Sequence, residues 1–384
     1  MLNTKICHLC KGELFSDPIM ELDGMPKAAQ YFPTKSEFND DSGILLNIFQ
    51  CSSCGLVQLN IDPVDYYREV ITAASLSEKA RASRLLQMKE FVNKFDLTGS
   101  KILEVGSAKG EMLDVLEEVG LVAYGLEASE ESVKEGIANG RKMICGYIGE
   151  IDKIEGAPFD AFISLNYLEH LPNPGNIINK ISNNTSSNSV GFITVPNLAY
   201  LLKTKCFYEF VADHLSYFTE ETLRYAFESH GFEVIESSII NNENDIAVVV
   251  KKRKSLNISG GINEVESLIH DIKLLAENYK KQNKKIAVWG AGHRTLALLA
   301  LSNLDLIEFI IDSAKFKQGR YSPVVHTPIV SPNTLKVQDV DLVIVMVPGL
   351  YPEEVLETLS NMDFNSDVAI LKNNKIEFVQ INNN

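Results

Sequence analysis

The sequence has no surplus of positive charge and no long apolar segment. Lys and Arg number 36 against 51 Asp and Glu, so the formal net charge is −15 at pH 7. Proteins that grip nucleic-acid phosphates or anionic membranes concentrate Lys and Arg, so this balance argues against both partners. No run of about 18 apolar residues occurs, and the amino-terminal MLNTKICHLC has no apolar core. We therefore expect no transmembrane helix, no signal peptide and a cytoplasmic location.

Cysteine is also scarce, with six in 384 residues, and the composition is otherwise that of a globular protein. Apolar residues make up 45% and charged residues 23%, which excludes extensive disorder, collagen-like sequence and a small disulfide-dense domain. Because one domain usually holds roughly 100 to 200 residues, we expect two or three domains.

Four of the six cysteines form two C-x-x-C pairs, whereas Cys145 and Cys206 stand alone. In a reducing cytosol such pairs are metal ligands more often than disulfides. Two C-x-x-C turns supply the tetrahedron of thiolates that zinc accepts at roughly 2.3 Å per sulfur, and a closed site of this kind is structural. Chance thiols or a labile redox pair are the alternatives. The predicted ligands are Cys7, Cys10, Cys51 and Cys54, with His8 as a less favoured substitute.

The segment that carries these cysteines is acidic. Residues 1–60 hold four lysines and no arginine against seven acids, a balance of 4 − 7 = −3. A zinc module that binds nucleic acid should be basic. We therefore interpret the module, predicted over residues 1–65, as a lid or brace on an enzyme with no nucleic-acid partner.

From about residue 100 the chain alternates strand and helix patterns, as in KILEV, GSAKGE, MLDVLEEVG and VAYGLEAS. Such alternation predicts a parallel sheet with crossover helices. Gly106 and Gly110 let a cofactor approach the backbone where a helix starts, and Glu127 follows about 20 residues later, where an acid takes ribose hydroxyls. Taken alone, this loop fits NAD, another nucleotide or S-adenosylmethionine (SAM).

Two features favour SAM. Glu104 precedes the loop in LEVGSAKG, and this E-x-G-x-x-x-G arrangement resembles motif I of class I methyltransferases, whose acid helps position the amino-acid end of the cofactor. FDAFISLNYLEHLPNP and VGFITVPN then resemble the fourth and fifth strands of that fold, and FEVIESSI with DIAVVVKK suits its reversed hairpin. An NAD domain would carry G-x-G-x-x-G and no antiparallel ending. The predicted cofactor residues are Glu104, Gly106, Ser107, Gly110, Glu127 and Asn166.

The last third of the sequence predicts a second α/β domain, Rossmann-like and substrate-binding. A basic, small-residue stretch at 251–261, KKRKSLNISGG, is interpreted as a linker. Four apolar runs follow, and the GAG turn at 290–292 opens a helix whose N-terminus suits a phosphate. The turn is either a nucleotide or pyrophosphate site or purely structural. The candidate ligands are Gly290, Gly292, His293, Arg294, Lys317 and Arg320.

The order of these parts resembles the sugar C-methyltransferase family. The resemblance covers essentially the whole chain and is carried by the paired cysteines and by LNYLEHLPNP, DHLSYF and DSAKFKQGRYSP. It implies a zinc module at 1–65, a SAM-dependent methyltransferase domain at 66–254 and a Rossmann-like domain at 255–384. The implied reaction is methylation at C3 of a nucleotide-linked 4-keto-6-deoxyhexose, for a polysaccharide or a glycosylated metabolite.

The resemblance also implies a mechanism, in which a base removes the proton beside the keto group and the enolate carbon takes the methyl group. His214 matches the family's base, Asp213 stands where the family has a glutamate, and His170 matches a histidine suited to donate a hydrogen bond to the enolate oxygen.

The chain departs from the family in DYYREVITAASLSEKA, where an aliphatic residue takes the place of an active-site tyrosine. Tyr66 and Tyr67 are the candidate replacements. The alternatives are O-methylation of a sugar or small metabolite and a non-catalytic nucleotide-binding scaffold.

Overall fold

The computed structural model describes residues 5–29, 32–69 and 77–380. The chain divides into two compact units, Met1–Ser255 and Leu256–Asn384. Among the described residues, no helix combines the length and the apolar character needed to cross a bilayer. The position of the family's tyrosine, within residues 70–76, lies outside the described residues.

In the described part of the first unit there are eleven strands and six α-helices. Its strands are β1 (Met20–Met25), β2 (Ile44–Gln50), β3 (Val57–Leu59), β4 (Lys101–Val105), β5 (Val122–Glu127), β6 (Met143–Cys145), β7 (Phe159–Leu165), β8 (Thr185–Pro196), β9 (Ser216–Tyr217), β10 (Phe232–Ile240) and β11 (Asp245–Lys252). Its helices are α1 (Glu78–Phe95), α2 (Glu111–Glu118), α3 (Glu130–Ala138), α4 (Pro174–Asn184), α5 (Leu198–Thr204) and α6 (Glu220–Glu228).

The large sheet of this unit has the order β10-β11-β8-β7-β4-β5-β6. Strands β4 to β8 pair in parallel, whereas β10 and β11 pair antiparallel to each other and β11 to β8. The predicted parallel sheet with a reversed hairpin is confirmed. Because the loops after parallel strands meet at one edge, the segments that follow β4, β5, β7 and β8 share the carboxyl edge.

Local sequence decides where these helices begin. Ser129 accepts a hydrogen bond from the backbone of Ser132 at 3.4 Å and caps α3. Asn173 does the same for α4 through the backbone of Asn176 at 3.3 Å, and Pro174 follows it at the first helical position. Such caps satisfy backbone N–H groups that have no partner inside the helix.

A second, antiparallel sheet has the order β1-β2-β3-β9 and carries the cysteine module. Its last strand comes from the methyltransferase part of the chain, and Val57 pairs with Tyr217 and Gln58 with Ser216. Buried residues of the module also share one core with the loops of the large sheet; this core includes Cys7, Leu14, Cys51, Leu168, Leu171, Phe218 and Leu223. The predicted domain boundary between residues 65 and 66 therefore divides residues that share one hydrophobic core. This division of the chain stays a prediction.

The second unit has the order β14-β13-β12-β15-β16-β17, parallel except for β17. Its strands are β12 (Ile286–Trp289), β13 (Phe309–Ile311), β14 (Ile329–Val330), β15 (Leu342–Val345), β16 (Asp367–Lys372) and β17 (Lys375–Val379), and its helices are α7 (Gly260–Lys281), α8 (His293–Ser302) and α9 (Tyr351–Ser360). The stretch interpreted as a linker is partly structured, since β11 runs to Lys252 and α7 begins at Gly260.

A substitution at Gly191 tests the packing of the large sheet. A Cβ on this residue of β8 would lie 2.2 Å from Cζ of Phe162, whose side chain is fully buried. We expect Gly191→Ala to lower the free energy of unfolding by about 1–3 kcal/mol, because overpacking forces a core ring to move. Gly261→Ala is the control, since nothing lies within 4 Å of its added Cβ. Denaturant unfolding of both variants makes the comparison, and equal stability would contradict the prediction.

Candidate active site

The glycine loop between β4 and α2 brings bare backbone to the carboxyl edge. Gly106 and Gly110 have φ of +76° and +77°, values that favour glycine. A Cβ on Gly106 would lie 2.6 Å from the ring of Tyr167, and that ring is buried. The loop therefore needs glycine both for its conformation and for this close approach.

Two acids flank the loop and differ in their hydrogen-bond partners. The Glu127 carboxylate, at the end of β5, accepts backbone hydrogen bonds from Ala108 and Ser129, each at 2.9 Å. Glu104 is 5% exposed, and its Oε2 has no hydrogen-bond partner among the described residues. Burial raises the pKa of Glu104 to about 8, so the free protein holds it protonated near neutral pH.

These residues fit SAM. An unpartnered buried carboxylate oxygen suits the ammonium group of an amino-acid end, and Glu127 lies where an acid takes ribose hydroxyls. The Oγ of Ser107 is also buried without a partner among the described residues. Residues Glu104, Gly106, Ser107 and Glu127 would hold the cofactor, and the open glycine loop would lie against it.

Asn166 follows β7 at the same edge, with a left-handed φ of +48°. Its Oδ1 accepts a hydrogen bond from Thr194 Oγ1 at 2.7 Å, and its Nδ2 lies 3.4 Å from Oδ1 of Asp245. The side chain is thereby fixed between β8 and β11, and the chain turns directly into the short 3-10 helix Leu168–His170.

This helix brings Glu169 and His170 next to His214. One ligand atom from each of the three side chains lies within 4.8 Å of the other two, and the two imidazole centroids are 4.7 Å apart. Burial lowers the pKa of His214 to about 3 and that of His170 below its ordinary value. Burial also raises the pKa of Glu169 to about 8. All three groups are therefore neutral near pH 7.

A backbone contact sets the tautomer of His170. Its Nδ1 lies 2.8 Å from the carbonyl oxygen of Asp213, and a carbonyl oxygen only accepts. Nδ1 therefore donates, and a neutral His170 keeps its lone pair on Nε2. The donor role predicted for His170 is available only in the protonated form, which burial disfavours.

The carboxylate of Asp213 is hydrogen-bonded to Tyr66 and Ala29. Its Oδ1 accepts from the hydroxyl of Tyr66 at 2.5 Å, and its Oδ2 accepts from the backbone of Ala29 at 2.6 Å. Tyr66 is thus joined to the predicted catalytic loop, whereas Tyr67 packs edge-on against Tyr147 with centroids 5.8 Å apart. These contacts anchor the loop that carries His214.

The second unit has its own set of predicted residues. The turn before α8 contains Gly290, with a φ of +109°, and Gly292, which caps the helix. His293, Arg294 and Arg320 are exposed. Lys317 instead pairs with Asp312, Nζ to Oδ2, at 2.9 Å.

The four paired cysteines converge at one place. The Sγ atoms of Cys7 and Cys54 are 3.6 Å apart and those of Cys10 and Cys51 are 3.5 Å apart, and all four lie within 4.8 Å of one another. A zinc tetrahedron with bonds of roughly 2.3 Å requires sulfur separations of about 3.8 Å, so the donor set fits this ion.

Both cysteine turns have the same backbone design. Lys11 N donates to Cys7 O and Gly55 N donates to Cys51 O, each at 3.2 Å. Lys11 and Gly55 both adopt left-handed φ, +61° and +78°. The left-handed residue is therefore the one directly after the second cysteine of each pair, and in the first turn it is not a glycine.

Sequence reasoning missed Glu169 and the tyrosine ring over Gly106. Glu169 is 2% exposed, and its Oε2 has no hydrogen-bond partner among the described residues. The one available signal was its position directly before His170. An acid in a loop is normally solvated, so only the structure identifies it as buried.

Comparisons with known proteins agree with this geometry. A family model described as a methyltransferase domain matches residues 77–237, and one described as a C-methyltransferase C-terminal domain matches residues 261–367. The C-methyltransferase NovU of Streptomyces niveus is 25% identical over 366 residues, with 85% of each chain covered.

Two solved structures show looser similarity. Magnesium protoporphyrin IX methyltransferase of Synechocystis PCC 6803 with bound SAH shares 12% identity at a TM-score of 0.39, over 49% of this chain and 91% of that one. A SAM-dependent methyltransferase of Clostridium acetobutylicum shares 10% identity at a TM-score of 0.38, over 47% and 94%.

The sheet with its reversed hairpin, the glycine loop and the matched domains define a class I methyltransferase. The protein is a SAM-dependent methyltransferase, and its two family matches and its Streptomyces relative support a place among the C-methyltransferases.

Gly106→Ala tests the close approach of the loop. We expect SAM affinity to fall at least about tenfold, because the new Cβ displaces the Tyr167 ring from the loop. Gly99→Ala is the matched control, since Gly99 has a φ of +79° and nothing within 4 Å of an added Cβ. The Gly99→Ala variant carries only the cost of placing a Cβ at a left-handed φ, about 1–2 kcal/mol, without a steric contact. Calorimetric titration with SAM measures both, and an equal affinity in the two variants would refute the steric argument.

Proposed function

We propose that the protein transfers the methyl group of SAM to carbon, at C3 of a nucleotide-linked 4-keto-6-deoxysugar, through an enolate formed by a histidine base. The observation that carries the proposal is the buried, neutral pair His170 and His214 at the carboxyl edge of the cofactor-binding sheet. Carbon methylation needs such a base, because a C–H bond beside a ketone releases its proton only to a group positioned at that carbon.

The two histidines have complementary properties for this task. His214 stays unprotonated across roughly pH 5 to 8 because burial lowers its pKa to about 3, so its lone pair is available throughout that range. Its low basicity is a cost, which the negative charge that develops on the enolate beside it offsets by stabilising the imidazolium. His170, oriented through the carbonyl of Asp213, presents a second lone pair on Nε2.

The protonated carboxyl of Glu169 completes this arrangement. One of its carboxyl oxygens lies within 4.8 Å of a ring nitrogen of each histidine, and burial favours the protonated form. A neutral carboxylic acid in an apolar site stabilises a developing oxyanion. SAM, when bound, supplies the electrophilic methyl group. The C3 proton goes to imidazole, and Glu169 donates a hydrogen bond to the enolate oxygen until the ketone re-forms.

A nucleotide-linked acceptor is supported by the second unit. Arg294 and Arg320 are exposed cations in a domain whose sequence matches a C-methyltransferase C-terminal model. Guanidinium groups bind phosphate oxygens in pairs, which suits the diphosphate of a nucleotide sugar. The net charge of −15 does not oppose this, since a diphosphate needs only a few local cations.

Solvent exchange tests the enolate. In D2O, with SAH in place of SAM, we expect the C3 hydrogen of a 4-keto sugar nucleotide to exchange in the wild type. His214→Ala should slow exchange by about 10²-fold or more, as for loss of a general base. The exposed His270→Ala is the control. Because His214 is unprotonated at both ends of the range, its protonation should not reduce exchange between about pH 8 and pH 5. Methylation without any exchange would indicate O-methylation instead.

We also propose that the four paired cysteines bind one structural zinc ion. Cys51→Ser should reduce the zinc content and lower the stability by on the order of 3 kcal/mol, because metal-binding energy is folding energy for such modules. Cys145→Ser, at an exposed cysteine away from the cluster, should change neither quantity. Elemental analysis and thermal unfolding make the measurement, and one zinc per chain in Cys51→Ser would overturn this proposal.

A further inference from the structure

Among the described residues, two groups of side chains bring three or more metal-ligand atoms together. One is the cysteine cluster, and the other consists of Glu169, His170 and His214. In the second group, one ligand atom from each side chain lies within 4.8 Å of the other two. Two imidazoles and one carboxylate are the donor set of several zinc sites and of the 2-His-1-carboxylate iron sites. The histidine pair therefore has a chemical capacity besides that of a base.

His170 is oriented as a metal-binding histidine usually is. Its Nδ1 donates to the carbonyl oxygen of Asp213 at 2.8 Å. Metal-ligating histidines almost always donate their other ring N–H to a carbonyl, a carboxylate or a water molecule. The contact fixes the ring and leaves the lone pair on Nε2. One ligand nitrogen is thereby held in place before any ion arrives.

Glu169 supplies an oxygen that the rest of the described chain leaves unused. The residue is 2% exposed, and its Oε2 has no hydrogen-bond partner among the described residues. A buried polar atom without a partner is costly, so a ligand that contacts it is favoured. Bonds of roughly 2.0–2.2 Å to nitrogen and oxygen place ligand atoms about 3.3 Å apart around a tetrahedral ion. Side-chain rotation has to close the group only from separations of at most 4.8 Å.

The cluster is accessible to an ion and has three protein ligands. Both imidazoles are partly exposed to solvent, whereas Glu169 is buried. The carboxylate of Asp213 accepts hydrogen bonds from Tyr66 and Ala29 and is therefore not a fourth ligand. A zinc site with three protein ligands keeps an open position, unlike a closed site of four cysteines. Imidazole nitrogens favour Co²⁺, Ni²⁺ or Zn²⁺ over Mg²⁺ and Ca²⁺.

We propose that Glu169, His170 and His214 bind one divalent ion of the Co²⁺, Ni²⁺ and Zn²⁺ class when no acceptor is bound, and that this ion blocks the histidine base. Glu169 binds the ion as the carboxylate and releases its proton to the solvent. An imidazole lone pair that is donated to a metal cannot take a proton from carbon. Metal binding is independent of the identity of the acceptor, whereas the block rests on the proposed function.

The test titrates Co²⁺ into the full-length protein without SAM or acceptor. We expect one equivalent to bind with nitrogen and oxygen neighbours, as seen by X-ray absorption of the wild type. Glu169→Gln keeps the size of the side chain and removes its charge, so it should weaken Co²⁺ binding at least about tenfold. Glu221→Gln, at an exposed acid on α6, is the control and should bind Co²⁺ as the wild type does.

Two results would overturn the metal site. One is an equal Co²⁺ affinity in Glu169→Gln and Glu221→Gln, with thermal unfolding showing that both variants are folded. The other is wild-type Co²⁺ with sulfur neighbours only, since this would place the ion at the cysteines. The X-ray absorption measurement needs no variant to fold.

Hydrogen exchange tests the block. With SAH and a low concentration of a 4-keto sugar nucleotide in D2O, Co²⁺ at ten times its measured Kd should slow exchange at C3 by about tenfold. A chelator should restore the rate. Co²⁺ bound at the cluster without slower exchange would overturn the block. Co²⁺ binding in a wild type that shows no exchange even without metal would refute the proposed function and leave the metal site supported.

Discussion

The pairing of β3 with β9 is the interaction on which the geometry of the candidate active site depends. It joins residues that are about 160 positions apart, Val57 to Tyr217 and Gln58 to Ser216. The segment just before β9 carries Asp213 and His214. The carboxylate of Asp213 accepts hydrogen bonds from Ala29 of the module and from Tyr66, directly after it. The cysteine module therefore positions the histidine loop. Loss of the module's fold would remove the strand pairing and the Ala29 hydrogen bond that hold this loop.

Burial determines the chemistry of this edge more than ion pairing does. Glu104 and Glu169 are each at most 5% exposed, and each has an Oε2 without a hydrogen-bond partner in the described part of the chain. Desolvation disfavours the charged form of each group, so the two buried carboxyls keep their protons. For the same reason His170 and His214, which lie next to Glu169, stay unprotonated. Glu104, Glu169, His170 and His214 are thus neutral near pH 7 in the free protein.

Sequence patterns predicted much of this architecture. The alternation from residue 100 predicted the parallel sheet, because strand burial and crossover helices impose periodic apolar patterns. The reversed hairpin was implied by the resemblance of the later segments to the class I methyltransferase fold. The glycine loop was predicted from residue type, since Gly106 adopts a φ that other residues avoid. The paired cysteines also converge as expected. The partners of side chains were less predictable. Asp213 was identified only as standing where the family has a glutamate, whereas in the structure its carboxylate binds Tyr66 and its carbonyl orients His170.

The sequence by itself determined what local chemistry decides: helix caps, glycine turns, cysteine spacing and the order of strands. These depend on neighbouring residues and on regular repeats, which are visible in one dimension. Only the tertiary structure decided that Glu169 is buried, which nitrogen of His170 keeps its lone pair, and that the carboxylate of Asp213 binds Tyr66. Each of these depends on distant segments brought together in a common low-dielectric environment, and a protonation state or a tautomer follows from that environment and not from residue type.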